Sequence, residues 1–451
     1  MLPCMPRERP EEVIATAWLA AALLSAELGV MQYFGVSASL GSWVNSTGLG
    51  EAFANLRQRN QFATLTNIGL GALLWCAVRV RALAPQRQQW AHAGLLLAAL
   101  LLAVGNAASS SRTGLLQLVA LALLVWLWGG WKEAVPRSVM LAAILGYAAA
   151  ALALPGLAGL DPGSTGILAR LGDSDRPCAS RLTLWANVLH LIALKPWTGW
   201  GWGELDFAHF VTLYPAARFC DILDNAHNLP LHLAVELGVP MALLVCGVAL
   251  GLMLRAAPWR EGDPTRQMAW TVLAMLGLHS MLEYPLWYGP FQVAAGLSIW
   301  LLVRLRVRPA QGGARKRAGV AATLLLATGY AGWDYHRVSQ IYLAPEKRAA
   351  SYRADTLQQA EGSWLFSQQV RFAELTTTPV SRANALHLNA LSKELLHFSP
   401  EPRVIEKLIE SATVLDRNEE ALHYLARYRA AFPDEQRRWA SALQDQPQPA
   451  D

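Results

Sequence analysis

The chain has 451 residues, 53% of them apolar and only 16% charged, with a formal net charge of +5. Soluble domains carry nearer roughly 45–50% apolar and 25% charged residues, so the composition excludes an ordinary soluble protein. The positive charge does not point to nucleic acid, because the basic residues lie in short clusters between apolar blocks rather than along one polar face.

Apolar blocks near the ~20 residues that cross a bilayer give about nine spans, at approximately 13–36, 62–83, 91–108, 113–130, 138–158, 229–254, 268–285, 286–303 and 318–336. The expected fold is all-α, a polytopic membrane helix bundle with one large loop and a helical C-terminal region. Four regions follow: helices in 1–160, a loop with an amphipathic helix in 161–228, further membrane helices in 229–336, and a helical domain in 337–451. The first block exceeds the roughly 7–15 residues of a signal peptide's apolar region and carries Glu27 in its middle, so it reads as an uncleaved helix. Lysine and arginine are retained on the cytoplasmic side. The clusters Arg7/Arg9, Arg79/Arg81/Arg87, Lys132/Arg137, Arg255/Arg260/Arg266 and Arg304 to Arg317 mark every second connection, which puts the N-terminus inside and the large loop and tail outside.

Gln58, in Asn55-Leu56-Arg57-Gln58-Arg59-Asn60, opens the second span from the outer side. Ser109-Ser110-Ser111-Arg112-Thr113-Gly114 interrupts two apolar blocks at their outward end. A guanidinium there offers a planar fork that matches phosphate oxygens; the plainer reading is an arginine snorkelling to lipid headgroups. In the large loop, Arg176 and Arg181 precede a helical stretch, Arg181 to Leu194, and can supply a second cation or be solvated loop charges. Cys178 and Cys220 both fall in this loop, where an oxidising compartment permits a disulfide. Cys76 and Cys246 lie within spans and read as packing residues.

Trp197, Trp200 and Trp202 suit a membrane interface, and the interleaved Gly199, Gly201 and Gly203 read as a loop packed on the bilayer. His227, in Asp224-Asn225-Ala226-His227-Asn228, stands where the chain re-enters the membrane. An imidazole there can take a proton from an attacking hydroxyl, or simply cap a helix start. His232 and Glu236, one turn apart, read as polar support rather than a metal site. His279 and Glu283 are four apart and can pair, although ionisable groups in a membrane segment are functional hypotheses by default. In the tail, Val404 to Leu415 and Glu419 to Ala431 form an amphipathic pair of the tetratricopeptide-like kind, with weaker helical stretches at 346–360 and 383–396.

These polar clusters converge on the outer side of the membrane, where no ATP is supplied. A substrate transformed there must arrive already activated, and lipid pyrophosphates are the usual form. A transporter would spread its polar residues through the membrane depth and show paired broken helices, and the sequence has neither pattern.

The residues resemble the O-antigen ligase and polymerase superfamily, and within it the bacterial protein O-oligosaccharyltransferases of the pilin-glycosylating type. The resemblance rests on Asn55 to Gln58, Ser111-Arg112, Arg181-x-x-x-Trp185 with Pro196-x-x-Gly199-x-Gly201, His227-Asn228 through Glu236-Leu237-Gly238, and Leu282 to Trp287. It implies a multi-pass inner-membrane enzyme with its site and C-terminal domain in the periplasm, working without a cofactor or metal. Arg112 and Arg181 would hold an undecaprenyl-pyrophosphate-linked glycan, and His227 would assist the acceptor hydroxyl. Gln58 and Tyr284 match positions important in the protein-glycosylating members; Arg176 and Glu236 are further substrate-binding candidates. The acceptor would be an exported protein such as pilin, with ligation to lipid A core or glycan polymerisation as the alternatives. Metal independence weighs against Asp173-Ser174-Asp175 as a metal motif. Family members have several spans before the Gln58 region and here one precedes it, which reads as a shortened chain or a late gene start.

Overall fold

The computed structural model describes residues 9–80, 84–172, 177–304 and 314–444, and every regular element among them is helical. In chain order these are α1 (Pro10–Tyr33), α2 (Arg59–Arg79), α3 (Pro85–Ala108), α4 (Arg112–Leu127), α5 (Ala134–Leu157), α6 (Gly166–Gly172), α7 (Arg181–Leu194), α8 (Leu205–Val211), α9 (Leu229–Leu237) and α10 (Val239–Ala256). They continue as α11 (Pro264–Ser280), α12 (Gly289–Arg304), α13 (Ala314–Ser339), α14 (Thr356–Ala360), α15 (Ser367–Thr377), α16 (Ala385–Leu395), α17 (Pro402–Val414), α18 (Asn418–Ala431) and α19 (Pro433–Gln444). The chain divides into two compact units, one of residues 1–175, 227–230 and 244–309, the other of 176–226, 231–243 and 310–451.

Among the described residues, five helices are long and apolar enough to cross a membrane: α1, α2, α3, α5 and Val239–Arg260, which α10 begins. The chain is therefore a membrane protein. Helices also stand near the other expected spans, but α4, α11 and α12 have only 16, 17 and 16 residues. The expected span 229–254 is two helices, not one. Gly238 turns the backbone at φ 83°, and a Cβ on it would collide with the carbonyl of Trp197. Val239 N–H then donates to Pro196 at 2.8 Å. Apolar composition runs straight through this break, so hydropathy alone does not reveal it.

The first unit is built around α2, which is buried on almost every side while α1 shows most of its surface outward. α2 buries Gln61, Thr64, Thr66 and Asn67, polar side chains that a membrane bundle keeps in its interior. Lipid tails are as apolar as leucine, so close packing rather than water exclusion draws membrane helices together. Gly69 of α2 accordingly faces Ala22 of α1 and Gly71 faces Thr271 of α11, and a Cβ at either glycine would collide.

In the second unit, α7 packs Leu184, Val188 and Leu191 against Leu205, Phe219 and Leu223. The tail closes on Leu388, Leu395, Val404, Ile405 and Leu408. Val404, Ile405, Leu408, Ile409 and Ala412 make one apolar stripe of α17, and each large aliphatic buried there contributes roughly 1.5–3 kcal/mol. Phe210 of α8 joins the same cluster.

Candidate active site

Several turns meet at one end of the first unit. Before α2, Ala54 and Arg57 take left-handed backbone at φ 51° and 59°, folding the approach tightly ahead of Gln58 and Asn60. Between α3 and α4, Ser110 at φ 50° reverses the chain. Ser111 then caps α4 by accepting the Gly114 N–H at 2.9 Å, satisfying one of the donors a helix start leaves unpaired. This leaves Arg112 exposed in the first turn of α4.

The carboxylate of Glu283, just beyond α11 and 6% exposed, gathers these turns. Its Oε1 accepts from Asn60 Nδ2 at 3.1 Å and its Oε2 from Gln58 Nε2 at 3.2 Å. Oε2 also lies 2.8 Å from His227 Nδ1. Asn60 Oδ1 accepts from the Ser111 hydroxyl at 2.6 Å, tying the Arg112 turn to the same cluster. The Tyr284 ring meets His227 edge-on at 5.1 Å and stacks on Tyr288 at 5.8 Å. His227 holds φ 51°, a conformation that costs a non-glycine residue of the order of 1–3 kcal/mol and persists only where neighbours enforce it. Glu283 on the ring and Asn228 Nδ2 on the Met281 carbonyl, at 3.1 Å, do so.

The geometry sets the imidazole's chemistry. A carboxylate against Nδ1 keeps the proton on that nitrogen and presents Nε2 as the basic one, and it stabilises the imidazolium formed when Nε2 takes a proton. Deeper in the bundle, Thr64 Oγ1 meets His279 Nδ1 at 2.8 Å. Gln117 Nε2 donates to Thr64 at 2.9 Å and to the Met275 carbonyl at 2.9 Å. Thr64 thus stands against the His279 ring, and His227 against the Glu283 carboxylate. Gln58 and Tyr284 join His227 through Glu283 and a ring edge. Asn60 and Ser111 were not singled out by the sequence, although Ser111 adjoins Arg112 and Asn60 stands two residues from Gln58; Glu283 was raised as a functional hypothesis but without its partners.

The second unit holds the other candidates. Arg181 begins α7, which Ser180 caps by accepting the Thr183 N–H at 3.2 Å. Cys178 and Cys220 are joined as a disulfide with Cα atoms 5.3 Å apart. Glu236 is 2% exposed and lies 3.4 Å from His232 Nε2; His232 Nδ1 accepts the Ala226 N–H at 3.5 Å. The Trp185 indole donates to the Ala226 carbonyl at 3.0 Å. Glu236 therefore braces the residue that precedes His227. Burial pushes the Glu236 carboxyl up to about 7, and burial also raises Asp206 of α8 to about 7. His209 is driven down to about 3 by burial, reinforced by Arg218. Arg176, Asp173 and Asp175 lie outside the described residues.

Three family profiles divide the chain between them. "Protein glycosylation ligase" matches residues 52–76, "O-Antigen ligase" 97–246, and "Virulence factor membrane-bound polymerase, C-terminal" 267–446. The first contains Gln58 and Asn60, the second Arg112, Arg181 and His227, and the third Glu283 and Tyr284. Along these segments the chain is similar to the O-antigen ligase superfamily and to protein glycosylation ligases within it. It is 23% identical over 303 residues to a general O-oligosaccharyltransferase of Acinetobacter baylyi, covering 66% of this chain and 51% of the relative. A ComP-specific O-oligosaccharyltransferase of the same organism is 25% identical over 118 residues, 26% of this chain and 21% of the relative. The chain thus spans about half the length, or less, of these relatives. No solved structure matches it significantly.

Proposed function

We propose that the protein transfers a preassembled oligosaccharide from undecaprenyl pyrophosphate to serine or threonine hydroxyls of exported, pilin-like proteins, on the periplasmic face of the inner membrane. The observation that carries this reading is the Glu283–His227 contact of 2.8 Å, braced by Gln58 and Asn60 beside the Ser111–Arg112 turn. In the proposed reaction His227 Nε2 takes the proton of the acceptor hydroxyl as its oxygen bonds to the anomeric carbon. The bond from that carbon to the pyrophosphate oxygen breaks, and lipid pyrophosphate leaves with the electron pair. Arg112 and Arg181 are assigned to the pyrophosphate charge, because fixed cations aimed at developing negative charge stabilise the transition state most effectively in a water-poor site.

The test is glycan transfer followed by mass spectrometry, with purified chain, undecaprenyl-pyrophosphate oligosaccharide and a pilin acceptor in EDTA. The parent is expected to transfer, and folded His227→Ala, Arg112→Ala and Arg181→Ala variants to fail. Modification of lipid A core instead of protein would replace this reading with the ligase one. Transfer to neither would contradict both.

A further inference from the structure

Beneath the Glu283 cluster lies a second polar layer that the chemistry above does not use. Thr64, Gln117 and His279 are each 0% exposed, and they stand on three different helices, α2, α4 and α11. The same helices carry the parts of the cluster. Asn60 lies one turn before Thr64 on α2, Ser111 and Arg112 open α4 ahead of Gln117, and Glu283 follows His279 by four residues. Polar and ionisable side chains are costly to bury at membrane depth, and apolar residues would pack these helices as well. Packing alone therefore does not explain the layer.

The Thr64 hydroxyl is its hub. A hydroxyl has one proton and two lone pairs to share, and three residues reach this one: Gln117 Nε2 at 2.9 Å, His279 Nδ1 at 2.8 Å and the Asn60 carbonyl at 2.8 Å. Every capacity is filled when Gln117 and His279 donate to the hydroxyl and it donates to Asn60. Gln117 Nε2 also donates to the Met275 carbonyl of α11 at 2.9 Å, and Asn67 Nδ2 donates to Gln117 Oε1 at 3.3 Å. The His279 carbonyl in turn accepts the Glu283 N–H at 2.8 Å. The bonds thus run from Asn60, whose side chain holds Glu283 Oε1, through Thr64 to the residue that anchors the Glu283 backbone.

We infer that Thr64, Gln117 and His279 are positioning residues, which fix the register of α2, α4 and α11 so that Gln58, Asn60 and His227 all meet the Glu283 carboxylate. Apolar contact is non-directional and lets helices slide, whereas hydrogen bonds fail beyond about 3.5 Å. Asn60 and Gln58 stand 3.1 and 3.2 Å from the carboxylate. A slide of ~0.5 Å between α2 and α11 would release both. The assignment rests on the reading of His227 as the base and adds to it what keeps the partner of that base in place.

The experiment compares Thr64→Val, which keeps the shape and removes the hub, with Thr64→Ser, which keeps the hydroxyl, in the full chain. Transfer is scored per folded molecule. His227 is also probed without glycan or acceptor, by its rate of modification with diethyl pyrocarbonate at about pH 8, where an ordinary imidazole is neutral, read by peptide mass spectrometry. Thr64→Val is expected to lower kcat by about tenfold, the scale of a sub-ångström misplacement, with KM for the lipid-linked glycan within about twofold of the parent's. It should also slow His227 modification, as Glu283→Gln does, because Nε2 loses basicity when the carboxylate leaves Nδ1. Thr64→Ser should keep most of kcat and the parent's modification rate. Gln117→Met, which removes a donor at similar volume, should shift both readouts the same way by less, and it carries the test if Thr64→Val does not fold. Added to Glu283→Gln, Thr64→Val should cost no further transfer, since both act through one carboxylate.

Equal losses in Thr64→Ser and Thr64→Val, or losses that multiply in the double variant, overturn the assignment. So does an unchanged His227 modification rate in both Thr64→Val and Gln117→Met. A parent that transfers no glycan, but whose His227 responds to these substitutions as expected, keeps the positioning role and loses the proposed function. A parent that transfers glycan while Thr64→Val and Gln117→Met match it in kcat loses the positioning role alone.

Discussion

The two units bury polar groups for different ends. In the first, Gln58, Asn60, Ser111 and His227 converge on one carboxylate, and the bonds run between residues far apart in sequence. In the tail of the second, buried polar groups join neighbouring helices: Tyr428 donates to Glu406 at 2.5 Å, and Arg417 donates to Asn389 at 2.8 Å. The first arrangement holds a strained histidine with a basic nitrogen; the second adds specificity to an apolar stripe. Changes at the bundle end should therefore cost rate with little stability, and changes in the second unit should cost stability with little rate.

The largest expected effect is on rate. His227→Ala should lower transfer by about 10²–10⁴-fold, the usual worth of a positioned general base, far more than any fall in its thermal transition accounts for. Glu283→Gln should lower kcat less, on the order of 10²-fold, because an amide still orients the ring but does not stabilise the imidazolium. A fall in stability that fully accounts for either loss would break the comparison.

The remaining predictions concern the second unit. Replacing Cys178 and Cys220 by serine opens a crosslink of sequence separation 42 and should destabilise this unit by about 4 kcal/mol on the chain-entropy estimate, read by denaturant titration with and without reductant. Leu408→Ala, in the fully buried stripe of α17, should cost about 2–5 kcal/mol while transfer per folded molecule stays within about twofold of the parent.

The smallest effect is a hidden pH dependence at α8. Asp206 titrates at about 7 in the folded chain against 3.8 ordinarily, and His209 at about 3 against 6.5. From about pH 4.5 to 6.5 the folded chain thus holds an extra proton at Asp206, as at Glu236, and lacks one at His209, so the carboxyl and imidazole slopes oppose one another. Asp206→Asn removes the Asp206 slope. Relative to the parent, the variant's stability should then fall as pH is lowered through that window, by up to about 1.4 kcal/mol per unit. A parent and variant with the same pH profile of melting temperature would contradict this.

Much of the fold was legible because apolar runs and the amphipathic period of α17 are local signals. The break at Gly238 was not: it depends on the Trp197 carbonyl approaching from a distant loop. His227, Gln58 and Tyr284 stood out as polar residues at the ends of apolar segments. Glu283 was visible as an ionisable group four residues from His279, but its contact with His227, 56 positions upstream, follows from no sequence pattern. Asn60 and Ser111, 51 residues apart, are linked only by the packing of α2 against α4.

The central claim, that His227 acts as the base, is tested most directly by His227→Gly with added imidazole. Glycine is at home at φ 51°, so the variant should fold at least as stably as the parent. Glycan transfer should be lost without imidazole and partly restored with it, through a free ring entering the vacated space beside Glu283. Transfer by His227→Gly at the parent's rate without imidazole would contradict the account.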